Sequence, residues 1–549
     1  MQGELTALLK EALAEGVRRG DLKSNTDVPI VLNIPSQRDH GDYATPMVLS
    51  LAKREGIPPR KLADLLVSIL NRLPATADFI EKIEIAGPGY INFFIKKEVG
   101  HGHLLEILRK GSEYGKTNLF QGKKILIEFV SANPTGPLHV AHGRAAALGD
   151  VMTRLLRAVG YQVDQEYYIN DVGNQMALLG QSTYLRYREL FGEKIDLPAE
   201  SYKGDYIIDI AKEVKDTQVG AENFLPAFFT QYSYDKILSL NRDALALFGI
   251  HFDSWFSEST LHPEKVSEAI LFLREVGVAY DADGAVWVAT TRYGDDKDRV
   301  IQRSNGELTY FASDIAYHKN KFERGYDRLI DIWGADHHGY IMRVKAAVSA
   351  MGYAPERLDI VIHQLVNLLR DGKPVAMSKR SGEFVTLKEV IEEVGVDATR
   401  FFFTMRRSDT SLDFDLEIAK KTSEENPVYY VQYAYARLCS IMRVAKDQGH
   451  TLEKETDVAS LTLSEEMELI KQLSLYPEMV RMAAERLEPH RVNYYLVDLA
   501  GLTHRYYFKC RVVTEDVALT KARLALVSAI QIVLKSALDL LGVSAPERM

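Results

Sequence analysis

The chain has 549 residues, 46% hydrophobic and 26% charged, with a net charge of −9 and two cysteines. That length suits roughly three or four domains with ample core, and the composition is that of a globular protein rather than a disordered or collagenous one. Cys439 and Cys510 support neither a disulfide framework nor a cysteine zinc site, and the negative charge excludes wholesale coating of nucleic acid, so a polyanionic partner has to be met by local basic patches. The opening MQGELTALLKEALAEG is acidic and amphipathic, unlike a signal peptide, and no run of about 18 apolar residues occurs. These features lead us to expect a cytoplasmic protein with no membrane contact, no structural zinc and no DNA partner.

In chain order, residues 1–110 read as a separate small α/β domain. It has a helical start, a second helix near Met47 to Arg54, and a strand-like stretch from Ile83 to Ile95 interrupted by Gly87, Pro88 and Gly89. Residues 111–420 alternate strands and helices, the pattern of a doubly wound, Rossmann-like parallel sheet, with a less regular insertion at about 185–300. Its first strand, Lys124 to Val130, is a short, nearly continuous apolar run and therefore reads as buried. Pro134, Gly136 and Pro137 stop it, Ala145 to Val159 supplies an apolar-faced helix, and Tyr161 to Ile169 is the next strand.

The loop in that unit lies at the carboxyl edge of the sheet, where such folds bind ligands. His139 and His142, three apart at the helix start, share one face beside unpaired backbone N–H groups and the positive end of the helix dipole, a site for a phosphate chain. Arg328 to Trp333 is a further strand, ending in Gly334-Ala335-Asp336-His337-His338-Gly339. Consecutive side chains point different ways, so this run reads as a nucleotide contact rather than a metal site. Asp359 to Leu369 reads as one more strand, followed at about 370–385 by a glycine-bounded loop carrying Lys373, Lys379 and Arg380, mobile cations placed where a charged leaving group would develop. From 421 to 549 strand signals vanish and long amphipathic stretches predict an all-α bundle.

Taken together, these motifs resemble those of the arginyl-tRNA synthetases, class I, bacterial type. His139-Val140-Ala141-His142 is similar to the family's HIGH element and Ala376-Met377-Ser378-Lys379-Arg380 to its KMSKS element. The likeness extends through Tyr168-Ile169-Asn170-Asp171, Asp314-Ile315-Ala316-Tyr317-His318, Gly334 to Tyr340, Asn426 to Ala434 and the closing Pro546-Glu547-Arg548-Met549. Two departures stand out. Ala141 replaces the usual glycine, and Ala376 stands where lysine is common, with no compensating lysine at Gly136.

The resemblance implies activation of arginine by Mg²⁺·ATP to arginyl-adenylate, transfer to the 3′-terminal adenosine of tRNA(Arg), and a monomer. It implies that His139, His142, Ser378 and Lys379 are catalytic. Gly143, Asp336, His337 and Met377 would join them in holding ATP. Glu128, Ser131, Asn133, His139, Tyr310 and Asp314 would hold arginine, with Asp314 and Tyr310 on the guanidinium. The small N-terminal domain would meet the outer corner of the tRNA. Tyr433, Arg437, Tyr507 and Met549 would meet the anticodon arm, with Met549 against an anticodon base.

Overall fold

The computed structural model describes residues 1–23, 28–35, 37–218, 226–375, 385–453 and 456–549. The N-terminal unit packs helices α1 (Gln2–Arg18), α2 (Met47–Glu55), α3 (Pro59–Leu70) and α4 (Pro74–Phe79) on an antiparallel sheet of β1 (Tyr43–Thr45), β2 (Ile80–Ala86) and β3 (Tyr90–Ile95), in the order β1-β3-β2. The stretch expected as one interrupted strand is thus a hairpin. Gly87 and Gly89 take φ of 53° and 144°, which side chains resist, and the chain reverses there. Helix α5 (Lys97–Lys110) leads out of this unit and packs on the C-terminal bundle.

The central unit is built on five parallel strands in the order β11-β10-β4-β5-β6: β4 (Lys124–Glu128), β5 (Gln162–Ile169), β6 (Ser254–Ser257), β10 (Arg328–Gly334) and β11 (Leu358–His363). Helix α6 (Val140–Ala158) crosses from β4 to β5 and is buried along most of its length. Gly149 on α6 lets it sit directly on Phe129: a Cβ there would stand 2.3 Å from the Phe129 ring. Alanine is a better helix former by about 1 kcal/mol. Even so, Gly149→Ala is expected to destabilise the protein by about 1–3 kcal/mol, because an overpacked core must shift. A lower urea midpoint at unchanged slope checks this.

The region 185–300 is not one irregular insertion. Helices α7 (Asn174–Glu189), α8 (Asp205–Thr217) and α9 (Pro226–Leu247) pack together, then the chain returns to add β6 to the central sheet beside β5. After α10 (Glu264–Glu275), strands β7 (Ala279–Ala282), β8 (Ala285–Val288) and β9 (Arg299–Gln302) form a small antiparallel sheet. The β6 segment, Ser-Trp-Phe-Ser, is four residues long, too short to show a period.

Helices α11 (Tyr310–Glu323) and α12 (Ile341–Ala350) flank β10. The apolar run from Asp359 to Leu369, expected as one strand, is two strands in different sheets. β11 ends at His363, and β12 (Val366–Arg370) pairs with β13 (Lys373–Pro374) and β14 (Leu412–Asp415) instead. The break has a physical cause in Arg144 on α6, a fully buried arginine. Its guanidinium donates to the carbonyls of Gln364 (2.9 Å), Leu365 (3.5 Å) and Arg407 (2.9 Å), drawing the chain off the sheet.

Helices α13 (Leu387–Val394), α14 (Val396–Thr404) and α15 (Leu416–Lys420) close the central unit. The C-terminal bundle comprises α16 (Pro427–Asp447), α17 (Ser464–Ser474), α18 (Tyr476–Arg486), α19 (His490–Lys509) and α20 (Val517–Leu541). Helix α20 is long and apolar enough to cross a bilayer, but it lies in the middle of this bundle, packed on α16, α17, α19, α5 and α6. One continuous apolar core joins α6, α14 and the bundle.

Candidate active site and RNA-facing cleft

The turn leaving β4 is strained. Val130 and Ser131 take φ of 69° and 39°, left-handed values that cost a residue with a side chain about 1–3 kcal/mol and cluster at functional sites. Ser131 is braced there, donating from Oγ to Glu128 Oε1 (2.8 Å) and accepting from the Tyr168 N–H (3.1 Å).

At the start of α6, His139 and His142 cap the helix reciprocally. The Ala141 N–H donates to His139 Nδ1 (3.2 Å), the His139 N–H donates to His142 Nδ1 (3.3 Å), and the two rings stack with centroids 3.7 Å apart. Each Nδ1 therefore serves as an acceptor, which leaves the ring proton on Nε2 of both neutral histidines. Burial and the neighbouring His139 push the His142 pKa down to about 3, so His142 stands there uncharged.

The histidines line a cleft of about 820 Å³ with Asn133, Gly136, Tyr206, Val375, Val385 and Thr386. Tyr206 on α8 roofs it, donating to the Thr135 carbonyl (2.7 Å). An isolated bridge joins His139 to Thr386, reinforced by the Leu387 N–H on the Leu138 carbonyl (2.8 Å). The expected ligands Met377, Ser378 and Lys379 lie outside the described residues, between Val375 and Val385, which both border this cleft.

Other expected positions divide. Gly143, expected to approach ATP, is a packing position: its N–H is used by the His139 carbonyl, and a Cβ would meet Leu387 at 2.5 Å and Phe403 at 2.9 Å. Asp336 and His337 stand exposed on a 3₁₀ turn at the carboxyl end of β10, outside the lining of the histidine cleft. The next strand adds a group that the sequence reading missed. His363, at the end of β11 beside Gly334, has its pKa pushed down to about 4 by burial and the nearby Arg144.

On α11, Asp314 accepts a hydrogen bond from Tyr340 Oη. Burial and the nearby Glu258 and Glu128 raise its carboxyl above the ordinary range, against the bond from Tyr340. Tyr310, the expected second guanidinium partner, is 72% exposed, and Tyr340 is the tyrosine that touches Asp314. Asn133 is exposed and donates to Gln175 (3.0 Å), whereas Glu128 is buried and paired with Lys321. Glu258, just past the end of β6, is a buried carboxylate that no motif marked, although strand ends are where such sheets bind ligands.

The bundle carries a second cleft of about 910 Å³, which brings together all four residues expected to face RNA: Tyr433, Arg437, Tyr507 and Met549. The Arg437 guanidinium lies over the rings of Tyr433 (4.3 Å), Tyr507 (4.8 Å) and Phe508 (5.1 Å). Phe508 is 74% exposed, and Arg443, Arg511 and Arg548 also line the cleft. Aromatic faces interleaved with cations form a surface for unstacked bases.

A parallel sheet in this order, with a two-histidine helix cap at its carboxyl edge and an all-α domain behind it, fits a class I aminoacyl-tRNA synthetase. A family model described as the catalytic domain of class I (R) tRNA synthetases matches residues 103–411. An arginyl-tRNA synthetase N-terminal domain matches 3–95, and a DALR anticodon-binding domain matches 431–549. The chain is 52% identical to the arginine–tRNA ligase of Syntrophotalea carbinolica and 51% identical to that of Citrifermentans bemidjiense, over the full length of each. Its fold matches the structure of Thermus thermophilus arginyl-tRNA synthetase with a TM-score of 0.77 and 25% identity, covering 98% of this chain and 99% of that one. The chain belongs to the arginyl-tRNA synthetase family.

Proposed function

We propose that this chain, an arginine–tRNA ligase, carries out both half-reactions at the carboxyl edge of its central sheet, and that it works as a cytoplasmic monomer. The arginine carboxylate attacks the α-phosphorus of ATP, forming the mixed anhydride and breaking the bond to pyrophosphate. A ribose hydroxyl of the terminal adenosine of tRNA(Arg) then attacks the carbonyl carbon and AMP leaves. No protein nucleophile is needed, so catalysis reduces to in-line positioning and to stabilising charge on the phosphates.

The observation that carries this reading is the histidine pair: two stacked rings at a helix N-terminus, each accepting a main-chain N–H at Nδ1 and so carrying its ring proton on Nε2, on the wall of a cleft that Val375 and Val385 also border. Neutral donors suit phosphate oxygens better than they suit a metal ion, so Mg²⁺ would be held through the nucleotide, whose charge it would partly neutralise. Lys379 and Ser378 would stabilise the departing pyrophosphate, and Asp336, His337 and Met377 would border the nucleoside. Asp314 would take the guanidinium, while Glu128, Ser131 and Asn133 would hold the α-amino end. Radiolabelled arginine charging of total tRNA, with the other amino acids as controls, tests the assignment. No charging with arginine, or equal charging with a control, would sink it.

For the bundle, Tyr433, Arg437, Tyr507 and Met549 are proposed to hold anticodon-arm bases, and Phe508 joins them. A base stacked on an aromatic contributes about 1–3 kcal/mol. Phe508→Ala is therefore expected to weaken tRNA(Arg) binding by about 5- to 150-fold in a filter-binding assay. The side chain is so exposed that stability should stay within about 0.5 kcal/mol.

A further inference from the structure

Three neighbouring strands place a carboxylate at one level. Glu166 on β5 is in register with Glu128 on β4, and Glu128 is in register with Asp331 on β10. Registered neighbours in a sheet share a face and lie about 5 Å apart. All three are buried, at 0%, 7% and 1% exposure, so this is a row of like charges that would not fold unpaired.

One face of α11, continued by its C-cap residue Arg324, answers the row. Arg324 makes a two-pronged pair with Glu166, at 2.6 and 2.8 Å, and Tyr317 Oη donates to the same carboxylate at 2.8 Å. Lys321, itself 0% exposed, stands between the other two, donating from Nζ to Glu128 Oε2 and, at 2.8 Å, to Asp331 Oδ1. His318 stands beside the Asp314 carbonyl at 2.8 Å and Asp331 Oδ2 at 3.0 Å. Three carboxylates thus meet an arginine, a lysine and a histidine, and the only cation on Glu128 among the described contacts is Lys321.

The other oxygen of Glu128 is held by Ser131 in the strained turn, so both carboxylate oxygens are fixed from outside the substrate. The first turns of α11 carry Asp314, whose carboxylate is set by Tyr340. One helix therefore carries the guanidinium acceptor near its start and, two turns on, the ammonium that fixes the acceptor for the α-amino end. The geometry points to Lys321 as a positioning residue for arginine: it aims Glu128 and shields it from Asp331, so that the distance between the two ends of the amino-acid site is set by α11. This inference rests on the reading that Glu128 contacts arginine.

The test compares steady-state pyrophosphate exchange, with tRNA present, in Lys321→Met, Glu128→Gln and the double variant Lys321→Met/Asp331→Asn. Lys321→Met should raise the arginine KM at least about tenfold while the ATP KM stays within about threefold, the separation expected when only amino-acid binding is lost. It should also make the arginine KM climb more steeply than in the unmodified enzyme as pH falls from 8 to 6. Without the ammonium, Glu128 and Asp331 become adjacent buried carboxylates that share a proton, with Glu166, Tyr317 and Arg324 on one side, His318 on Asp331, and Asp314 and Glu258 toward the substrate.

Removing the neighbouring charge in the double variant should restore much of the arginine KM, a rescue that a merely structural lysine would not give. Should Lys321→Met fail to fold, Lys321→Arg serves, with an intermediate rise expected from a displaced charge. An unchanged arginine KM in every lysine variant that folds overturns the inference. An unchanged arginine KM in Glu128→Gln overturns instead the reading on which it rests.

Discussion

Replacing Asp314 by alanine is expected to raise the arginine KM by about 10²- to 10³-fold, equivalent to about 3–4 kcal/mol, with ATP binding little changed. A guanidinium offers five donors in a rigid fork, and a carboxylate is the side chain that meets the fork two-pronged. Asp314 is prepared for such a partner. Its carboxylate is oriented by Tyr340, while burial and the charges of Glu258 and Glu128 make its ionised form costly until a cation arrives.

The same electrostatics fix a sign. The carboxyl titrates above its ordinary value, only the ionised form pairs with arginine, and so the arginine KM should rise as pH falls, beginning above the usual carboxylate range. Pyrophosphate exchange measured against arginine concentration and pH reads both effects. A flat arginine KM in Asp314→Ala would remove the residue from the site.

The other large effect is expected at Lys379. Its replacement by alanine should slow adenylate formation by about 10²- to 10³-fold, the usual cost of losing one preorganised donor aimed at transition-state charge. Val375 and Val385 both line the cleft that His139 and His142 line, and Thr386 is bridged to His139 itself, so the described residues on both sides of the segment stand beside the histidine pair. Loss of an interaction made mainly in the transition state lowers kcat rather than raising KM. Single-turnover formation of arginyl-adenylate separates the two, and a rate near that of the unmodified enzyme would exclude the role.

How far the site could be read from the sequence follows from where each group comes from. His139, His142 and Glu128 sit on one strand–turn–helix unit, where apolar run, turn residues and helix start are adjacent and the order of types carries the geometry. Tyr340, Glu258, His363 and Lys321 reach the same region from other strands and helices. Their spacing in the chain holds no trace of the parallel order that brings them together. At Gly143, the glycine beside the motif, the space a side chain would take is filled by Leu387 and Phe403, neither of which the local sequence signals.

The division of the apolar run from Asp359 to Leu369 escaped the period rules because both halves are equally strand-like, and what separates them is Arg144, more than two hundred residues away in the chain. In the bundle, Tyr433 and Arg437 share a helix face, but Phe508 gives no sign in the sequence that it points outward.

Arg144 has one more consequence. The acceptors around its guanidinium are all main-chain oxygens, contributed by positions 364, 365 and 407 whatever side chains stand there. Those three positions are free to drift in identity, whereas inserting or deleting a single residue between 363 and 366, or near 407, would strip a buried, permanently charged group of part of its acceptors. Relatives should accordingly vary in letters at these sites but never in loop length.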